Sequence, residues 1–285
     1  MISVTPKVFF LGEMKLDDDN VHDWLSHIGG EAAAECMGRM SGSDLESLVE
    51  LSARRCYKSY SPGLNPNVTK VRTDSAEYHE NILRSKHGSV TAHGHCTYAF
   101  EDVSRVFTHE VVRNATGNDI SQESLRYVRL NDLRFWIPPI IAKDKELRNV
   151  PSRGTDTKEG WKWKRCPELI FEEVIQICEW AQKALAEYYD IDNIKDFETK
   201  KKLTSAFRRV APIGLATGIV ITFNIRSLRW IIEQRTSRHA EEEIRLVFGM
   251  VAEDAMQRWP MLFQDFGKVD SGDGMFEYVP KYSKI

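Results

Sequence analysis

The sequence predicts an α+β fold, in which one helix-rich domain surrounds a small mixed or antiparallel sheet. The strongest helical signal is at 168–189, where apolar side chains recur at helical spacing. Short β-branched and aromatic runs at 90–100 and 213–223 are typical of strands. Because no repeat, low-complexity block or linker interrupts the chain, we expect a single domain over 1–285.

The N-terminal half begins with a short predicted strand at 7–11. Ser43-Asp44-Leu45-Glu46 has the pattern of a capping box and predicts a helix that ends near Tyr57. Asp74 is the expected start of a second helix, over 74–86. A third helix runs from Val103 to a turn at 114–119, because its apolar residues again fall on one stripe.

The C-terminal half starts with an extended segment at 133–141, since Pro138-Pro139 disfavours helix. A charged stretch without periodicity, near 143–160, is expected to be a surface insertion. The remaining predictions are helices at 168–189, 197–210, 226–235 and 239–257, a strand at 213–223, and a loosely held tail after 266.

Composition and charge indicate a soluble cytoplasmic protein. The net charge is −3 and basic residues cluster locally, which counts against nucleic acid or a membrane surface as partner. Five scattered cysteines without a C-x-x-C pair suggest reduced thiols. The N-terminus has too short an apolar run for a signal peptide, and we see no stretch long enough to span a bilayer.

The first polar cluster follows the helix that begins at Val103. Arg113 leads into a loop rich in Asn and Gly, and a dense polar run ending at Arg126 comes directly after it. Loop amides, hydroxyls and a forked guanidinium together suit the capture of an anion such as phosphate. The alternative is an ordinary helix–loop–helix corner whose polar side chains cap helix ends.

The second cluster lies about 100 residues further on and is again rich in arginine. It contains Arg208, then Asn224 at a predicted helix N-cap, Arg226, and finally Arg235 and His239 beyond the helix body. The alternative is a solvated helix face with ion pairs inside the helix. Neither a dinucleotide or phosphate loop nor a nucleophile motif is present, so we expect a bound cofactor to supply the chemistry. His87, His93 and His95 lack a ligand to complete a metal site, so no metal is predicted.

Taken together and in order, these blocks resemble the flavin-dependent thymidylate synthases. The signature of that family is R-H-R, a short spacer, and S-x-R-Y, and Ser124-Leu125-Arg126-Tyr127 resembles its second half. Arg113 matches its first arginine if the loop is one residue longer. His87-Gly88-Ser89, Val103-Ser104-Arg105, Arg208 with Pro212, and the segment from Asn224 to Arg245 are similar to further blocks of the family.

The resemblance implies a homotetramer with active sites between subunits, with FAD as cofactor and NADPH and methylenetetrahydrofolate as co-substrates. It implies transfer of a one-carbon unit to C5 of a pyrimidine nucleotide without a cysteine nucleophile. The residues implied to bind the nucleotide are Glu110, Gln122, Glu123, Ser124, Arg126, Arg208 and Arg235, of which Arg208 and Arg235 are catalytic. Those implied to bind flavin are Ser89, Arg113, Asn114, Ser121, Asn224, Arg226 and His239.

The chain also departs from the family signature. Asn114 and Ala115 replace the central histidine and second arginine, and Glu110 stands where the family has glutamine. An ionised carboxylate only accepts hydrogen bonds, so Glu110 suits the amino group of cytosine or a ribose hydroxyl better than a uracil carbonyl. We therefore expect a divergent enzyme acting on dUMP or on UMP, dCMP or CMP. The alternatives are a non-catalytic flavin- or nucleotide-binding paralogue and an unrelated helical protein that binds nucleic acid.

Overall fold

The computed structural model describes residues 2–114, 117–125, 133–142, 155–157, 160–162 and 167–283. Its helices are α1 (Asp18–Gly29), α2 (Glu31–Ala34), α3 (Asp44–Tyr57), α4 (Ser75–Arg84), α5 (Gly88–Thr91), α6 (Arg105–Val112), α7 (Pro139–Ala142), α8 (Pro167–Tyr188), α9 (Phe197–Phe207), α10 (Ile225–Arg235), α11 (Glu242–Arg258) and α12 (Pro260–Phe263). Its strands are β1 (Ile2–Ser3), β2 (Lys7–Glu13), β3 (His95–Ser104), β4 (Asn118–Gln122), β5 (Arg134–Phe135), β6 (Thr155–Thr157), β7 (Gly160–Lys162), β8 (Ala216–Asn224), β9 (Phe266–Asp270) and β10 (Phe276–Pro280).

Helices predominate over small sheets, which confirms the predicted α+β class. A four-stranded sheet has the order β2-β3-β8-β4, and β1-β5, β6-β7 and β9-β10 form two-stranded pairs. Strand β8 shows why its sequence reads as a strand: every second residue is buried, from Thr217 to Phe223. One face of β8 therefore packs into the protein.

Backbone contacts divide the chain into two compact units. Unit 1 contains the described residues of Met1–Lys7, Phe100–Val112 and Ser121–Ile219, and unit 2 those of Val8–Ala99, Arg113–Ile120 and Val220–Ile285. The single domain expected over 1–285 stays a prediction.

In unit 2, the buried side chain of Glu46 contributes to a helix cap and to a long-range hydrogen bond. Ser43 caps α3 in a capping box with Glu46, as its sequence predicts. The buried Glu46 carboxylate also accepts a hydrogen bond of 2.8 Å from the Met261 backbone N–H. One side chain thereby joins the start of α3 to α12.

The C-terminal residues of unit 2 form an antiparallel hairpin of β9 and β10 rather than the loosely held tail expected after 266. Tyr278 is buried, its backbone N–H donates to Thr236 Oγ1 over 3.0 Å, and its hydroxyl donates to Glu253. The Gly- and Ser-rich stretch supplies the turn of this hairpin, and such composition alone does not distinguish a turn from a tail.

Unit 1 has a core of Leu133, Phe135, Ile175 and Leu215, which joins α8 to β5 and to the start of β8. The Phe135 ring packs so closely on Gly214 that a Cβ there would lie 2.3 Å from the ring. Helix α8 covers 168–188 of the predicted 168–189, and it leaves several large apolar side chains exposed: Val174, Ile177, Trp180 and Tyr188.

Several local predictions need correction. Residues 118–122 are a strand, so the helix–loop–helix alternative for the first cluster is wrong. Helix α7 begins at Pro139, which is compatible with proline because the first helical turn needs no donor from that residue. Helix α1, whose N-cap is Asp17, was not predicted from the sequence. Most of the insertion predicted near 143–160 lies outside the described residues.

Candidate functional site

In unit 2, the loop after α6 is held by its own side chains. Asn114 is buried, and its backbone carbonyl accepts a hydrogen bond of 2.7 Å from Asn118 Nδ2. Gly117 has a φ of +77°, a conformation that side chains other than glycine adopt only with strain. The hydrogen bond therefore joins the described residues on the two sides of 115–116.

The same loop is fastened to the start of α10. Asn224 caps this helix by accepting from the Ser227 N–H over 2.8 Å, and its Nδ2 donates to the Gly117 carbonyl over 2.9 Å. Ser227 Oγ donates to Asn118 Oδ1 over 2.6 Å. A Cβ on Gly117 would lie 2.4 Å from Asn224 Nδ2, so a glycine is required for this approach. Asn224 is the N-cap that the sequence predicts.

The end of α10 meets the loop as well. Arg235 Nη2 donates to Asn114 Oδ1 over 2.7 Å, across 121 positions of sequence. The two polar clusters found in the sequence thus come into direct contact within unit 2. The other predicted flavin-binding residues of this unit, Ser89, Arg113, Arg226 and His239, are exposed. Arg226 lies in the first turn of α10, where the helix dipole favours an anion.

The sequence left open that the arginines of α10 lie on a solvated helix face, and for one of them this alternative is wrong. Arg229 is 3% exposed and forms an ion pair with Asp265 at 2.9 Å. It also donates to the Leu262 carbonyl, and its guanidinium lies 4.8 Å from the centre of the Phe266 ring. Arg229 therefore belongs to the core, while Arg226 of the same helix is exposed.

In unit 1, Glu123 follows β4 and is bonded to β8. Its Oε2 accepts hydrogen bonds from the Gly218 N–H at 3.2 Å and from Thr217 Oγ1 at 3.4 Å. Its backbone carbonyl accepts from Arg105 Nη2 at 2.7 Å. One oxygen of this predicted nucleotide-binding carboxylate is therefore already used within the unit.

Two arginines, Arg105 and Arg208, form a basic corner of unit 1. Burial lowers the pKa of the Arg105 guanidinium, the Glu123 carboxylate opposes this shift, and the charge of Arg208 lowers the pKa further. Arg208 is exposed in a 3-10 turn after α9. An electropositive corner of this kind suits an anionic ligand.

Gln122 offers a further donor in unit 1. Its Nε2 is buried and has no hydrogen-bond partner in the part of the chain that the structure describes. An unused amide donor is costly unless a ligand or water accepts from it. Ser121 is exposed, Ser124 and Glu110 are half-buried, and Arg126 lies outside the described residues.

The cysteines supply no activated nucleophile that the structure identifies. Cys36, Cys56, Cys96 and Cys178 are free thiols, and Cys166 lies outside the described residues. Burial raises the pKa of the Cys36 and Cys96 thiols, which disfavours the thiolate. Among the described residues, no group of three or more His, Cys, Asp or Glu side chains is arranged to hold a metal ion.

Four residues of these clusters were missed as site residues by the sequence predictions: Arg105, Gly117, Asn118 and Ser227. Arg105 had a signal, since it belongs to the Val103-Ser104-Arg105 block that carried part of the family resemblance. The Asn118–Ser227 contact had none, because 109 positions separate the two residues.

Comparison with solved structures supports the fold class. Two structures of a UMP/dUMP methylase PolB from Streptomyces cacaoi, bound with 5-Br dUMP and 5-Br UMP, match with TM-scores of 0.54 and 0.52. Each comparison covers 92% of this chain, and 95% and 94% of the respective matched chains. The sequence identity is 15% in both, so this likeness concerns the fold.

Comparison of sequences then gives the family. The family model described as thymidylate synthase complementing protein matches residues 40–261, and the chain belongs to that family. Relatives named flavin-dependent thymidylate synthase are 31% identical in Mycobacterium tuberculosis, 30% in Corynebacterium efficiens and 29% in Mycobacteroides abscessus. Each comparison covers 80% of this chain and 82% of the relative. The resemblance in the sequence is confirmed, and the unrelated-protein alternative is wrong.

A search of the described helices for a membrane span found none of sufficient length and apolarity.

Proposed function

We propose that this protein is a flavin-dependent methyltransferase that transfers a one-carbon unit to C5 of a pyrimidine nucleotide. The observation that carries the proposal is that the family match at 40–261 contains both polar clusters, and that Arg235 of one contacts Asn114 of the other. The relatives named flavin-dependent thymidylate synthase and the solved UMP/dUMP methylase support the same reaction class. They do not favour the non-catalytic alternative.

FAD is the proposed cofactor, with NADPH and methylenetetrahydrofolate as co-substrates. The bound flavin would supply hydride chemistry that side chains lack. Its proposed ligands are Ser89, Arg113, Asn114, Ser121, Asn224, Arg226 and His239. The donor set fits such a group, because exposed guanidiniums and the N-terminus of α10 suit a diphosphate. Asn224 would act mainly through the loop, since its Oδ1 accepts from Ser227 and its Nδ2 donates to Gly117.

The proposed nucleotide ligands are Glu110, Gln122, Glu123, Ser124, Arg126, Arg208 and Arg235. Arg208 and Arg235 would stabilise the negative charge that develops on the ring during reaction at C5. The unused Nε2 donor of Gln122 supports its assignment, because a carbonyl or phosphate oxygen would satisfy it. Since burial raises the pKa of two of the thiols, the described cysteines give no support to a cysteine nucleophile.

The proposed substrate range extends beyond dUMP. Glu110 and the Asn114-Ala115 substitution of the family signature are the sequence features that support it. A tritium-release assay from C5 should therefore be run on dUMP, UMP, dCMP and CMP, with FAD, NADPH and methylenetetrahydrofolate present. Release from any one of them supports the methyltransferase. If none of the four nucleotides releases tritium, the proposed methyltransferase activity is overturned. Release from dUMP alone overturns the wider substrate range.

We also propose a cytoplasmic homotetramer with active sites between subunits. The exposed apolar side chains of α8 support self-association, because such residues at helical spacing favour packing against another helix. Trp180→Glu should lower the mass measured by light scattering after gel filtration. Gln176→Glu is a matched control on the same helix, since Gln176 is exposed and polar. An unchanged mass for Trp180→Glu would remove α8 from the interface.

A further inference from the structure

Asn114 occupies the position at which the signature of the flavin-dependent thymidylate synthases has its central histidine. It is 7% exposed, and its two oxygens have different partners in unit 2. The backbone oxygen accepts from Asn118 Nδ2 and thereby shapes the loop. The side-chain oxygen accepts from Arg235 Nη2 at 2.7 Å. A single residue thus connects the loop conformation to the guanidinium.

We propose that Asn114 is a positioning residue, which sets the direction of the Arg235 guanidinium before the nucleotide binds. This inference rests on the proposed function in one respect, namely that Arg235 acts on the nucleotide. The hydrogen bond between Asn114 and Arg235 does not depend on that function.

Helix α10 is hydrogen-bonded to the loop near both of its ends. Its first turn is tied to the loop by Asn224 and Ser227, and its last residue, Arg235, is tied to Asn114. Ser227 and Arg235 are eight positions apart in the helix, or about 12 Å at 1.5 Å per residue. The loop therefore contacts α10 near both ends, and a shift of the loop relative to the helix would disturb both contacts.

Holding the Arg235 side chain in place before binding has an energetic consequence. An arginine has many rotamers, and fixing them costs conformational entropy. When a neighbour fixes the rotamers in the unliganded protein, that entropy is lost before the ligand binds, so it does not weaken binding of the ligand or of the transition state. The amide oxygen of Asn114 is uncharged, so it orients the guanidinium without adding a negative charge beside an anionic substrate.

The first test uses the unliganded chain and is independent of activity. The Arg235 Nε–Hε NMR signal is assigned by its loss in Arg235→Lys. Asn114→Ala should move this signal towards that of a freely rotating arginine. Asn114→Gln, which displaces the oxygen by one methylene, should move it in the same direction and serves if the alanine variant does not fold. Thr97→Val is the control, because it removes a hydrogen bond between two neutral side chains, of 2.9 Å to Thr222, far from Arg235 in sequence. An Arg235 signal unchanged in both Asn114 variants overturns the proposal.

The second test asks whether Asn114 acts through Arg235. Asn114→Ala should lower kcat/KM in the tritium-release assay by about 10- to 100-fold, as expected for a hydrogen bond to a charged group. With FAD saturating for every variant, so that a weaker flavin contact does not enter, the same change in the Arg235→Lys background should lower kcat/KM less than about 3-fold. An equal loss in both backgrounds overturns the proposal. If the wild-type chain releases no tritium from any nucleotide, the proposed function fails, while the NMR test still decides the positioning.

Discussion

The C-terminal region and the loop after α6 use polar side chains in opposite ways. In the C-terminal region, buried arginines meet carboxylates: Arg229 pairs with Asp265 at 2.9 Å, and Arg245 pairs with Asp273 at 2.5 Å. The loop is instead fastened to α10 by amides and hydroxyls, through Asn118, Asn224 and Ser227. Both regions contact α10, the loop through Ser227 and Arg235 and the C-terminal region through Arg229.

The difference is between buried arginines that are paired with carboxylates and neutral side chains that fix the loop. Arg229 is a buried guanidinium that is paired with a carboxylate and lies over an aromatic ring. Because its charge is already neutralised, it attracts a further anion only weakly. Hydrogen bonds between neutral groups, by contrast, fix a backbone without adding a charge to it. We therefore expect changes in the C-terminal region to act mainly on stability, and changes at the loop and at Arg235 to act mainly on activity.

The largest expected effect is on stability, from Arg229→Ala. Removing one member of a buried ion pair leaves the Asp265 carboxylate without its cation, which costs about 3–5 kcal/mol of unfolding free energy. Urea denaturation followed by circular dichroism measures it. The double variant Arg229→Met with Asp265→Leu should lose less than the single one. A single-variant loss below about 1 kcal/mol would contradict the assignment of Arg229 to the core.

The second effect is on activity, from Arg235→Ala. If Arg235 stabilises charge on the ring, kcat/KM should fall by about 100- to 1000-fold. The unfolding free energy should fall by about 1.5–3 kcal/mol, the scale of a lost hydrogen bond to a charged group, which is less than the loss expected for Arg229→Ala. Arg84→Ala is the control, because Arg84 is exposed and bonded to Asn81. Equal activities of the two variants would remove Arg235 from the catalytic groups.

The third effect tests the loop itself, by Gly117→Ala. The φ of +77° and the 2.4 Å approach to Asn224 Nδ2 predict strain of about 1–3 kcal/mol. Thermal unfolding measures this cost, and flavin absorbance after gel filtration reports whether cofactor binding is weakened. Gly12→Ala is the matched control, since nothing lies within 4 Å of a Cβ there. Equal stability of both variants would mean that the loop relaxes freely.

The smallest effect is the pH dependence of the Arg245–Asp273 pair. Hydrogen bonding to Arg245 holds the pKa of Asp273 below its usual value, against the opposing effect of burial. Since the folded pKa is the lower one, the stabilisation is present above about pH 4 and is lost as the pH falls through the folded pKa. The stability difference between wild type and Asp273→Asn, measured in urea at pH 7, 5 and 3, should shrink on acidification. A difference that grows would contradict the pairing.

Local signals in the sequence were sufficient for several elements. Ser43 and Asp74 mark the starts of α3 and α4, and Asn224 marks the start of α10, because a cap involves residues only two or three positions apart. Strand β8 followed from its β-branched run. The strand at 118–122 was missed because a short polar segment becomes a strand only when a neighbour supplies its hydrogen bonds.

The sequence by itself determined the helix-rich class, the caps, the two arginine clusters and the family, since each depends on neighbouring residues or on motif order. Only the tertiary structure decided the use of each arginine. Three arginines of α10 differ in their surroundings. Arg226 is exposed, Arg229 forms an ion pair with Asp265, and Arg235 donates a hydrogen bond to Asn114. Asp265 is 36 positions from Arg229, and Asn114 is 121 from Arg235, so packing of distant segments, rather than local spacing, brings these partners together.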